Sequence, residues 1–239
     1  MIDVYAWSTM NARKIYIMLE ETGLPYRIHP VNITKGEQFK PEFLAISPNN
    51  KTPAIIDRDG AGCGDYSLFE SGAILMYLAD KTGRLLPADP AARSTVIQWL
   101  MWQMGDFGPM LGQAEHFVPR RDQSGMAAAL DHFVEDANRL MGVIDGRLAE
   151  SDYLGGDAYS VADIATYPWC QNPERRGVRH EDYPNFKRWF DLVATRPAVA
   201  RADEIAARVR FRAPSRAGAN DDRFLLLAQR KQPQDLHDA

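Results

Sequence analysis

The apolar positions of this chain keep two different rhythms, and the change falls near Pro87. Before it, short runs alternate as strands do or recur every three to four residues as helices do. Residues 2–6 form a β-rich run, and Ser8, Thr9 and Asn11 follow where a helix cap belongs. Ile15, Met18 and Leu19 give residues 12–21 a helical stripe, which Gly23 and Pro25 close. Alternation predicts a strand over 26–33, then a polar loop at 35–38 and a helical turn at 41–44. Two compact strands follow, at 54–57 and 67–69. An amphipathic helix over 71–81 ends at Gly83. The order βαβαββα is that of a small α/β layer.

After Pro87 strand signals vanish. Helical spacing runs through 91–105, 126–150, 161–175 and 184–195, which predicts an all-helical bundle. The expected organisation is a first unit over 1–86, a Pro-containing link, a helical unit over 90–209 and an Arg- and Asp-rich extension over 210–239. Ser160-Val161-Ala162-Asp163 reads as a capping box. Trp99, Trp102, Met104, Phe107 and Met110 make a stripe whose default reading is core, with part of it, Trp7 and His116 as alternative pocket walls. Trp169 and Trp189 also read as core. Arg208, Arg210, Arg212 and Arg216 read as a solvated or subunit-facing surface.

Composition restricts the function without altering that outline. Apolar residues make up 45% and charged residues 25% of the 239, a globular balance. A net charge of −4 argues against a nucleic-acid binder, which carries a basic excess. No apolar run approaches the roughly 18 residues that cross a bilayer. The first residues lack the basic and then apolar pattern of a secretory leader, so a cytoplasmic, membrane-free protein is expected. Cys63 and Cys170 stand far apart and outside any C-x-x-C pair, which argues against a disulfide framework or a zinc site. Cys63, in a Gly-rich loop, reads as a bystander thiol, and no metal site is expected.

Five runs carry a resemblance: E-Q-F-K-P-E-F-L at 37–44, I-S-P-N-N-K-T-P-A-I at 46–55, L-F-E-S-G-A-I-L-M-Y-L at 68–78, G-P-M-L-G-Q at 108–113 and Y-S-V-A-D-I-A at 159–165. Together they resemble the glutathione transferase superfamily, closest to its bacterial nu-class or Ure2-like disulfide-bond reductases, over about residues 1–208. The resemblance implies a thioredoxin-like domain followed by a helical one, and a homodimer. It implies glutathione as co-substrate and a small disulfide or electrophile as the second substrate.

The resemblance also assigns residues. Thr52-Pro53 would be a cis peptide whose backbone meets the cysteinyl part of glutathione; the dipeptide alone reads as an ordinary strand start. Glu70 and Ser71 would take the ammonium and carboxylate of the γ-glutamyl end, although Ser71 by itself reads as a helix N-cap. Gln38 and Lys51 correspond to positions near the γ-glutamyl and glycyl ends. His132 stands where relatives carry an arginine for a second glutathione, and a histidine is only partly charged near neutral pH.

The sulfur is expected at the first helix start. Ionising a thiol at neutral pH needs a pKa drop of about two units, or about 2.7 kcal/mol. A helix N-terminus supplies about 0.3–1 kcal/mol, and a hydrogen bond to a charged group about 1.5–3. A polar donor is therefore required. Ser8, Thr9 and Asn11 are available, and the resemblance points to Thr9 and Asn11 as catalytic; Ser8 or Thr9 also suits a plain cap. The reading is glutathione-dependent disulfide reduction, with transferase or peroxidase activity as variants. The alternative is a non-catalytic glutathione-binding regulator or scaffold.

Overall fold

The computed structural model describes residues 1–60, 62, 64–118 and 127–211, the side chains of 210 and 211 excepted. Cys63, Arg212, Arg216 and nearly all of the expected extension lie outside those residues. Four strands make one mixed sheet: β1 (Ile2–Ala6), β2 (Tyr26–Pro30), β3 (Ala54–Asp57) and β4 (Tyr66–Phe69), in the order β2-β1-β3-β4. β1 lies parallel to β2, with Ile2 opposite Tyr26, and antiparallel to β3, with Val4 opposite Ile55. A parallel neighbour needs a crossover, and α1 (Met10–Thr22) supplies it. Ile15, Met18 and Leu19 of α1 and Ile74, Leu75 and Leu78 of α3 (Ser71–Thr82) are buried with Ile2, Val4 and Ile55 in the main core. The short α2 (Pro41–Leu44) buries Phe43 in a second cluster with Val31 and Ala54.

Local chemistry sets the element ends. The Thr9 hydroxyl accepts the Ala12 N–H at 3.2 Å and so caps α1. Gly23, at φ 72°, closes that helix in the left-handed conformation that glycine adopts without strain. β2 stops at Pro30, short of the expected 33, because the Asn32 side chain accepts the Thr34 N–H at 3.0 Å and turns the chain into a 3₁₀ turn. Buried Asp57 ties α3 to the sheet through Lys81, at 2.8 Å, and the Tyr77 hydroxyl, at 2.7 Å. Burial pushes that carboxyl up, yet the bonds from Lys81, the Asp59 N–H and Tyr77 outweigh it and hold it below the usual carboxylate range.

The rest is helical: α4 (Pro90–Trp102), α5 (Gly108–Phe117), α6 (Ala127–Glu150), α7 (Val161–Thr166), α8 (Pro184–Ala194) and α9 (Pro197–Phe211). A π-helical stretch, Gln103–Phe107, joins α4 to α5 without a break. Periodicity had suggested one helix over 161–175. Instead α7 stops at Thr166, and Tyr167–Cys170 and Pro173–Arg176 form 3₁₀ turns, because Pro168 and Pro173 have no N–H to donate. The capping box is present, with Ser160 and Asp163 bonded reciprocally. α9 packs along α1 and joins the two parts of the molecule. Arg196 bonds Glu21 at 2.6 Å, and Arg13 pairs with Asp203 at 3.5 Å. Arg208 is exposed and pairs with Glu204 at 3.4 Å. Among the described residues no helix is long and apolar enough to cross a membrane.

Candidate functional site

Where the sheet unit meets the helical unit there is a cleft with two lobes. The first, of about 360 Å³, is lined by Asn11, Lys14, Lys51, Thr52, Pro53, Glu70, Ser71, Gln103, Met104 and Trp169, with α5 as its far wall. The second, of about 560 Å³, is lined by Ser8, Thr9, Asn11, Arg13, Gln38, Phe39, Lys51, Thr52, Glu115, Trp169, Asn172 and Arg175. Both lobes have the size of small-ligand sites. They share Asn11, Lys51, Thr52 and Trp169, so the start of α1 sits at their junction.

The expected residues gather here with one exception. Thr9, Asn11, Gln38, Lys51, Thr52, Pro53, Glu70 and Ser71 line one lobe or both. The Thr52–Pro53 peptide is cis. His132 does not line either lobe; it is exposed on α6, its ring 5.2 Å from that of Phe133. The second lobe instead has Arg175, paired with Glu115 at 3.3 Å. Trp7 packs in the core, and neither it nor His116 lines these lobes. Of the aromatic and methionine stripe, Phe107 is fully buried and Met104 reaches the first lobe.

Two readings change with the geometry. Ser71 is not an N-cap: it is the first residue of α3, and Glu70 precedes it at φ 70°. That positive φ leaves the Glu70 side chain exposed at the lip and turns the buried Ser71 hydroxyl inward. Trp169, expected in the core, is a wall between the lobes. Its indole lies over Gly112, where an added Cβ would stand 3.4 Å from the ring, and its Nε1–H donates to Asn11 Oδ1 at 2.9 Å. An indole nitrogen can only donate, so the oxygen of Asn11 must face it and the amide NH₂ is turned to the cleft. Trp189 is buried as expected.

Periodicity alone did not single out Lys14 or Gln103. Lys14 is 1% exposed, and its Nζ donates to Gln103 Oε1 at 2.6 Å. Burial pushes that ammonium down to about 7, with the Glu70 charge acting the other way. A signal existed for both. Lys14 falls on the inward stripe of Ile15, Met18 and Leu19, and Gln103 continues the turn from Leu100 to Phe107. A polar residue on an apolar stripe asks for a buried partner. Cys170 is buried, which pushes its thiol up and away from reactivity. Among the described residues no cluster of His, Cys, Asp or Glu could hold a metal ion.

A sheet of this order with a cis-proline loop beside the first helix, joined to a helical domain, defines a thioredoxin-like protein with an interdomain cleft. The glutathione S-transferase N-terminal domain family matches residues 2–80, and the glutathione S-transferase C-terminal domain family matches 107–197. The disulfide-bond oxidoreductase YfcG of Escherichia coli K12 is 46% identical over 203 residues, 84% of this chain and 94% of that protein. A glutathione transferase family member from Pseudomonas fluorescens, solved with two glutathiones bound, is 45% identical with a TM-score of 0.79, covering 84% of this chain and 91% of its own. A glutathione transferase from Pseudomonas putida, solved with one glutathione disulfide per subunit, is 41% identical with a TM-score of 0.81, covering 85% and 91%. The chain belongs to the glutathione S-transferase family.

Proposed function

We propose that this protein is a glutathione-dependent disulfide reductase that holds two glutathione units in its two-lobed cleft. The observation that carries the reading is the junction of the lobes at Asn11, beside the Thr9 cap of α1. A tripeptide in each lobe places both sulfurs at the start of α1, where the dipole and the Asn11 amide favour a thiolate. Glu70 and Ser71 receive the γ-glutamyl end in the first lobe, the Thr52 backbone meets the cysteinyl part, and Gln38 and Lys51 hold flanking polar groups. In the second lobe Arg175 takes the role expected of His132. The disulfide-bond oxidoreductase relative and the relatives solved with two glutathiones or glutathione disulfide support the same reading.

The reaction uses ligand thiols throughout. One glutathione thiolate attacks a sulfur of the substrate disulfide; that S–S bond breaks, and the other sulfur leaves and gains a proton. The second thiolate attacks the glutathione sulfur of the mixed disulfide, giving oxidised glutathione and the second thiol. The substrate thus gains the two electrons that the glutathiones lose. Protein cysteine is not needed, so the double variant Cys63→Ser/Cys170→Ala is expected to keep more than half of the hydroxyethyl-disulfide reductase activity and its retention on glutathione resin. Loss of turnover in the folded variant would refute the cysteine-free route, and failure of the parent to bind the resin would refute the reading as a whole.

The partner proposed for the assembled enzyme is a second copy of the chain. Support comes from exposed Tyr66 and Phe69 on the edge strand β4 and exposed Met101 on α4, since unpaired edges and apolar surface are normally covered. Light scattering at micromolar concentration is expected to give twice the 26.9 kDa chain mass; the mass of one chain would rule the dimer out.

A further inference from the structure

Lys14 is a buried lysine with no carboxylate in contact among the described residues. Its Nζ bonds Gln103 Oε1 at 2.6 Å and lies 3.4 Å from Ser71 Oγ and 3.3 Å from Met104 Sδ. Glu70 is the ionisable group whose field acts on it, and burial still holds its ammonium down to about 7. The other elements packed on α1 have their acids engaged elsewhere. Asp163 of α7 serves Leu154, Ser160 and Trp189, and Asp203 of α9 pairs with Arg13. A lysine so placed is short of negative charge.

The neighbouring amide is short of an acceptor. Gln103 is fully buried and lines the first lobe, and its Nε2 has no hydrogen-bond partner. Its Nε2 lies against Gly108, close enough that an added Cβ there would stand 2.7 Å from it. Gln103 Oε1 faces the ammonium, so the amide group is fixed with its N–H side unsatisfied. The ammonium, 3.4 Å from Ser71 Oγ, and the unsatisfied amide therefore both border the first lobe, whose wall includes the start of α3, a place that itself favours an anion. The Ser71 hydroxyl has only Met104 Sδ, a weak acceptor at 3.6 Å, to donate to.

We propose that Lys14 is the buried counter-ion of the carboxylate at the γ-glutamyl end, acting from beneath Ser71 and Gln103, and that the anion and a proton enter the site together. This rests on the glutathione reading. The sign follows from linkage: an anion beside Lys14 raises its proton affinity in the complex. Binding is then strongest below the resting value of about 7 and weakens as pH rises from there toward the higher value in the complex. Lys14 thus positions the substrate and makes its capture pH-dependent without touching the sulfur.

The test is calorimetric titration with S-methylglutathione, which has no thiol to ionise. In buffers of different ionisation enthalpy at pH 7.5, the parent protein is expected to take up at least about half a proton per site. Lys14→Met is expected to take up none, to bind on the order of tenfold more weakly at pH 6, and to lose the parent's fall in affinity above neutrality. The ligand ammonium is common to both proteins and cancels in the comparison. Binding to the parent without proton uptake, or undiminished uptake in Lys14→Met, would overturn the proposal alone. Absence of any binding to the parent at pH 6 would remove the glutathione reading with it. The parent's buffer dependence decides the matter even if the variant does not fold.

Discussion

Asn11→Ala is expected to lower turnover of glutathione-driven disulfide reduction about 100-fold, the scale for removing one donor to a developing anion, while KM for glutathione shifts less than about threefold. Each of the α1 groups has its own duty. The Thr9 oxygen already accepts the Ala12 N–H, so Thr9 caps the helix and keeps only its hydroxyl proton to donate. The Asn11 oxygen is engaged by Trp169, which leaves the amide NH₂ as the donor aimed into the cleft. The dipole alone falls short of the about 2.7 kcal/mol that two pKa units require. The isostere Asn11→Asp separates this role from packing: it keeps the Trp169 bond but sets a negative oxygen beside the sulfur. Its turnover is expected to fall at least as far as that of the alanine variant. Trp169→Phe, which frees the amide to rotate, is expected to cost several-fold in kcat and to add little in the Asn11→Ala background. The ultraviolet absorbance of bound thiolate reads the same effect directly. A tolerated Asn11→Asp, or equal losses in kcat and binding, would end the argument.

The residues expected from the sequence that line the cleft share a property. Thr9, Asn11, Thr52, Pro53, Glu70 and Ser71 stand next to element boundaries, where Gly, Pro and capping residues punctuate the chain, and boundaries are where backbone groups are free to bind a ligand. The sheet unit was legible for the same reason, each strand being short and bounded by turn residues. What could not be read depends on contacts between distant elements. Trp169 lies 158 positions from Asn11, and nothing local marks its indole as a wall rather than core. α9 escaped notice because its inward face is mostly Ala198, Val199, Ala202 and Ala206; small residues give weak periodicity even when they pack closely on α1. The π-helical stretch is likewise a tertiary effect, since it turns Gln103 toward Lys14. His132 is the opposite case: a position inferred from resemblance that is exposed on α6 and lines neither lobe.

Asp163→Ala is expected to give the largest loss of stability, about 3–5 kcal/mol, the scale for breaking a buried charged network, with a fall in Tm on the order of 10 °C. This carboxylate is fully buried, and its oxygens accept the Leu154 N–H at 3.0 Å, the Ser160 N–H and hydroxyl at 2.9 Å each, and the Trp189 Nε1–H at 2.9 Å. It therefore pins the start of α7, the loop before it and the fully buried Trp189 indole at one point. Truncation leaves those donors dry, each costing about 1–3 kcal/mol when unsatisfied. Asp163→Asn should rank between the two, because one oxygen still serves Leu154 and Trp189 while the new NH₂ opposes the Ser160 N–H. Burial is the main influence on this carboxyl and pushes it up, with the bonds from Leu154, Trp189 and Ser160 opposing. A carboxyl raised in the folded state favours folding most below its unfolded value and loses that contribution as pH rises through the folded one. Asp163 ionisation therefore cannot drive acid unfolding, and the deficit of Asp163→Ala should persist across neutral pH. Urea titrations of the three proteins give the ranking. An alanine variant within about 1 kcal/mol of the parent, which is the range of an ordinary substitution, would show that the carboxylate is dispensable to the helical domain.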